Sequence, residues 1–131
     1  MSKSFWNSLA IAAAIVIPTI SIGALEAAAQ SYGAIARSSS TEDKGYSWNF
    51  RTRAAAENRA ISECESISGA GDCEVLMWTR NACMSIAESS NGAAGTAWST
   101  NEFQAESNAR GVCRDFGGTG CSTVRTICLP Y

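Results

Sequence analysis

The segment AENRAISEC closes on Cys64, and 49 residues later AESNARGVC closes on Cys113. A chain that writes one pattern twice builds one unit twice, and this limits the possible folds more than any other feature. The correspondence extends on both sides. Ile35-Ala36-Arg37-Ser38-Ser39 aligns with Ile86-Ala87-Glu88-Ser89-Ser90, Gly45-Tyr46-Ser47-Trp48 with Gly95-Thr96-Ala97-Trp98, and Cys73 with Cys121. The offset shrinks from 51 to 48 along the unit. The copies therefore differ by single-residue deletions in the connections, where a fold tolerates them. Two copies are too few for a solenoid. They are expected to fold together as one pseudo-symmetric domain, with repeats at about 32–81 and 83–128.

Each repeat begins with a short extended stretch, YGAIARS or MSIAESS, then a polar turn, STEDKG or NGAAG, then a second extended stretch, YSWNF or TAWS. This predicts strand–turn–strand. Thr52 and Asn101 stand at equivalent positions and are good helix N-caps, and Gln104 follows Asn101 three residues on, a variant of the capping box. Ala56, Ala60 and Cys64, like Ala105, Ala109 and Cys113, recur at helical spacing. A face made of alanine lets a helix lie close to a sheet. Gly69 and Gly71 end the first helix region, and Gly117, Gly118 and Gly120 the second. A cysteine and a strand follow each, CEVLMWTR and CSTVRTIC. The expected fold is α+β: a duplicated β-β-α-β unit forming one small disulfide-braced domain, its sheet antiparallel or mixed, with two helices on one face.

The amino-terminal residues have the three parts of a secretory signal: positive charge at Lys3, an apolar run from Leu9 to Leu25, and small residues at Ala27, Ala28 and Ala29. Cleavage before Gln30 is expected, so residues 1–29 are read as a removed leader and 30–131 as a single domain, secreted or periplasmic, with no membrane segment after cleavage. All six cysteines follow that site and the chain has no histidine, which favours disulfides over metal ligands. Six cysteines allow fifteen pairings, and the repeat selects among them. Cys64–Cys73 and Cys113–Cys121 each tether a helix end to the next strand. Cys83 and Cys128, which have no counterparts, pair with each other. By loop entropy the short bridges contribute about 2–3 kcal/mol each and the long one about 4, comparable to the net stability of a small domain.

The mature part keeps nine basic and eleven acidic residues, which is no footprint for nucleic acid or anionic lipid. The missing histidine excludes Ser-His-Asp, Cys-His and histidine–metal machinery. No phosphate-binding loop, G-x-G-x-x-G or G-x-S-x-G motif is present, and no metal or cofactor is implied. Carboxylate chemistry by Glu57 and Glu106, at equivalent helix positions, is the surviving hydrolytic option, although both stand where exposed helix residues belong. The other conspicuous group is aromatic: Trp48, Trp98, Trp78 and Tyr46, as a stacking surface or an interface hot spot. Recurrence at both copies points Trp48 and Trp98 toward the core. Trp78, without a counterpart, fits core and surface equally.

Several segments taken together, Tyr32–Ala36, Gly45–Trp48, Ala56–Cys64, Gly71–Trp78 and Asn81–Cys83, with Gly95–Trp98, Ala105–Cys113 and Gly120–Cys128 in the second copy, resemble the exported bacterial domain of unknown function 4189. The resemblance spans nearly all of the mature chain. It implies export and a cysteine-braced domain, and brings neither an activity nor catalytic residues. The expected function is a non-catalytic binding module acting on an unknown protein or envelope component. The alternatives are an inhibitor or protective protein against an envelope-degrading enzyme and, more remotely, a carboxylate-dependent hydrolase.

Overall fold

The computed structural model describes residues 30–130. The leader read at 1–29 lies outside the described residues. Each repeat contributes three strands and a helix: β1 (Tyr32–Ser38), β2 (Lys44–Phe50), α1 (Arg53–Ser68) and β3 (Cys73–Arg80), then β4 (Cys83–Glu88), β5 (Ala94–Ser99), α2 (Glu102–Asp115) and β6 (Ser122–Cys128). The α+β class and the duplicated β-β-α-β unit stand as read from the sequence. The sheet does not. The strands divide into two antiparallel three-stranded sheets, ordered β2-β1-β3 and β5-β4-β6, one per repeat.

The reason lies in the central strands, which are apolar on both faces. On β1, Ala34 and Ala36 pack against Ala56, Ala60 and Cys64 of α1. Ile35, pointing the other way, packs with Tyr46, Met84 and Ile86. On β4, Ala87 packs against Ala109 and Cys113 of α2, while Met84 and Ile86 meet the first sheet. Each sheet thus covers one face with its own helix and the other with its twin. The layers run helix, sheet, sheet, helix, in place of two helices on one face of one sheet.

Both helices begin where the sequence places their caps. Thr52 Oγ1 accepts from Ala55 N at 3.2 Å, and Asn101 Oδ1 from Gln104 N at 3.1 Å. Gly69, at φ 65°, ends α1 in the left-handed conformation, its N–H donating to Glu65 O at 2.8 Å. The helix–sheet approach is set by two equivalent glycines. A Cβ at Gly45 would overlap Ala60 O and Cys64 N; one at Gly95 would overlap Cys113 N and Ala109 O. The disulfides join Cys64 to Cys73, Cys113 to Cys121 and Cys83 to Cys128. The first two tie helix ends to strands, and the third bridges residues directly opposite on β4 and β6.

The repeats meet about a local pseudo-twofold relation that places equivalent positions in contact. Gly33, equivalent to Met84, lies against it, so that a Cβ there would be 2.8 Å from Met84 Cε. The ladders also shift register at equivalent points, between Ile35 and Ala36 against β3 and between Ile86 and Ala87 against β6. The extra residues, Leu76 and Val124, are both exposed.

Candidate functional site

All three described tryptophans are exposed, Trp48 by 44%, Trp78 by 38% and Trp98 by 57%. The core positions expected for Trp48 and Trp98 are therefore corrected. Both lie near the ends of edge strands, β2 and β5, beyond the reach of a sandwich core filled by Ile35, Met84 and Ile86. Of the four aromatic candidates only Tyr46 is buried. Large aromatic side chains normally supply core area; here alanine, isoleucine and methionine form the core while indoles stand at the rim.

The rim aromatics sort into two clefts. The first, of about 460 Å³, is lined by Tyr46, Ser47, Trp48, Phe50, Arg59 and Glu63. Arg125 crosses over from β6, its guanidinium carbon 4.5 Å from the Tyr46 ring centre and 5.3 Å from that of Trp48. Glu63 accepts from Tyr46 N at 3.3 Å. Burial pushes the Tyr46 hydroxyl up to about 12, against the opposing pull of Arg125.

The second cleft, of about 540 Å³, is lined by Tyr32, Trp78, Thr79, Arg80 and Trp98. It draws on both repeats, since Trp98 reaches it from β5. Arg53 lies over Trp78 at 4.4 Å, Trp78 tilts against Tyr32 with ring centres 6.1 Å apart, and Arg80 stands 6.0 Å over Tyr32. Arg53 is paired with Glu57 one turn on. Among the described residues Arg80 forms no ion pair, and no arginine stacks on Trp98.

Strand register shows how the clefts relate. Ile35 pairs with Met77 on β3 and its equivalent Ile86 with Arg125 on β6, so Met77 and Arg125 are counterparts. The cation that stacks on the Tyr46 and Trp48 rings is thus replaced, at the equivalent position of β3, by a methionine packed inward. One step along the ladder Ala34–Trp78 corresponds to Ser85–Thr126, and at its end Tyr32–Arg80 corresponds to Cys83–Cys128. Tyr32, Phe50, Glu63, Arg80 and Arg125 are among the members of the two clusters that sequence reasoning missed. Their signal was indirect: Tyr32 and Arg80 stand where the second copy carries the two cysteines without counterparts.

The paired carboxylates separate. Glu57 is on α1, held by Arg53, and Glu106 is on α2, accepting from Thr126 Oγ1 at 3.0 Å. The helices cover opposite outer faces of the sandwich, so the two acids cannot flank one substrate, and neither lines either cleft. Among the described residues no group of three or more His, Cys, Asp or Glu is placed to hold a metal ion.

Residues 32–128 match the family described as Domain of unknown function (DUF4189), and the chain belongs to it. It is also similar to the Rv1813c protein of Mycobacterium tuberculosis, whose structure was solved by NMR. The two are 26% identical, with a TM-score of 0.54 over 75% of this chain and 74% of that one. No curated protein matches the sequence.

Proposed function

We propose that this DUF4189 member is an exported, non-catalytic binding module, secreted or periplasmic, whose contact site is the Tyr32–Trp78–Arg80–Trp98 cleft and whose partner is a protein or envelope component. Three disulfides fit an oxidising compartment outside the cytoplasm, and the leader-like amino terminus agrees with export.

One observation carries the choice of site. A duplicated fold meets its structural needs twice, and the alanine faces, helix caps and glycine contacts are indeed present in both halves. The Tyr32–Arg80 and Ala34–Trp78 pairs are present once, where the other half holds a disulfide and a serine–threonine pair in the same ladder positions. The twin unit folds without them. Exposed aromatic and arginine side chains that folding does not require have the composition of an interface hot spot.

The test compares the oxidised mature protein with a Trp78→Ala/Trp98→Ala variant, both immobilised and exposed to cell-envelope extract. The variant is expected to lose specific capture, while Trp48→Ala retains it. Equal capture by the double variant would remove this cleft as the site.

A further inference from the structure

The second cleft borders an uncapped sheet edge. β3 is an edge strand, and among the described residues no side chain or loop bonds the outward backbone of Glu74 to Arg80. The strand's first residue alone is tied off, Cys73 N donating to Glu65 Oε1 at 2.7 Å. The opposite edge, β2, is partly capped, because Tyr46 N is held by Glu63. β6, the counterpart of β3, is also an edge strand, but in place of Trp78 and Arg80 it carries Thr126, which donates to Glu106, and Cys128, which is held in a disulfide. The bulge at Leu76 breaks the regular ladder, so the usable edge runs from Met77 to Arg80. That is long enough for one short added strand and too short for open-ended stacking.

Resting on the cleft assignment above, we propose that its ligand is an extended peptide segment that adds as a fourth strand to β3. The peptide lays a ring or apolar side chain on the uncovered face of Trp98 and sets a carboxylate against Arg80. The backbone edge supplies donors and acceptors at strand spacing, which an extended peptide matches and a saccharide does not. The charge follows from the lining, where, among the described residues, Arg80 is the only ionised group and forms no ion pair. Successive peptide side chains point to opposite faces. Arg80, paired with Tyr32, lies on the α1 face and Trp98, paired with Met84, on the face between the sheets, so the ring and the acid sit on adjacent residues.

The probe is a capped decapeptide of alternating valine and threonine carrying one Trp and, next to it, one Glu. Its controls are the same peptide with Lys for Glu, and oligogalacturonate as an acidic saccharide. Two-dimensional amide NMR and hydrogen exchange are read on the oxidised mature protein. The Glu peptide is expected to shift and protect amides between Met77 and Arg80. Arg80→Glu is expected to weaken it about tenfold and to favour the Lys peptide by a similar factor. Oligogalacturonate binding that moves the Trp98 indole without protecting β3 amides would overturn the peptide ligand and leave the cleft standing. Peptide binding insensitive to the charge reversal, or mapped away from β3, would overturn it as well. No response to either probe, with envelope capture unchanged in the double tryptophan variant, would remove both the ligand and the site.

Discussion

Arg37 and Glu88 hold the same position in the two repeats and form an ion pair with each other, Nε to Oε1 at 3.0 Å. Lys44 joins the same carboxylate oxygen at 2.8 Å. Arg37 also donates to Gly92 O at 3.2 Å, so one side chain binds two parts of the second repeat. The side chains of Arg37, Lys44 and Glu88 are only 10, 19 and 18% exposed, and water screens this cluster less than a surface pair.

Glu88→Gln keeps the shape and removes the charge, leaving Lys44 without an anion and Arg37 with only the half-exposed Glu42, 3.6 Å away. It is expected to lower stability by about 1–3 kcal/mol, read as a reduced urea midpoint with an unchanged slope. The exposed Glu102→Gln is the control, expected within about 0.5 kcal/mol of the parent.

Gly45→Ala and Gly95→Ala force α1 or α2 away from its sheet, because the atoms they would meet are helix backbone. Each is expected to cost about 3 kcal/mol or more. Gly111, inside α2, meets only the end of Arg114 at 3.8 Å. There Gly→Ala is expected to add about 0.5–1 kcal/mol. Thermal unfolding of the three variants gives opposite signs; a stable Gly45→Ala protein would contradict the close helix contact.

Asp72 ties the β1–β2 turn to the start of β3. Its carboxylate accepts from the Ser38 hydroxyl and from the Ser40 N–H at 3.0 Å. The Ser38 bond, followed by those of Ser40, pulls the carboxyl down from 3.8 to about 2. A pKa lowered by folding makes a contribution that is complete above the ordinary value and is lost as the pH falls through the folded one. Stability is therefore expected to fall between pH 3.8 and about 2, and Asp72→Asn should flatten that part of the profile. An unchanged acid profile in the variant would show that the turn does not depend on the charge.

Trp98→Ala and Trp78→Ala are expected to leave stability within about 1 kcal/mol of the parent, since both side chains are exposed. A loss of about 3 kcal/mol or more, the cost of deleting a core aromatic, would return them to a structural role.

What the sequence made legible followed from repetition. Equivalent caps at Thr52 and Asn101, alanines at helical spacing and a cysteine after each helix defined the unit and its tethers. Two features were hidden, for different reasons. Alternation on β1 shows that Ile35 and Ala36 face opposite ways, but not that the Ile35 face is covered by another sheet. Recurrence of Trp48 at Trp98 shows equivalent environments, and symmetry preserves exposure as faithfully as burial. The β6 cation over Tyr46 and Trp48 was also beyond reach, because Arg125 is 77 residues from Trp48 in the sequence and only strand register brings them together.

The contact of Gly33 with Met84 has a bearing on how the halves choose each other. At this position one half offers a hollow and the other the side chain that fills it, as one offers a cation and the other its anion at Arg37 and Glu88. Two first halves would leave an empty space flanked by repelling guanidinium groups; two second halves would crowd methionine on methionine beside repelling carboxylates. These two contacts thus favour the pairing of unlike halves over that of like ones. The chain carries its own heterodimer, covalently joined.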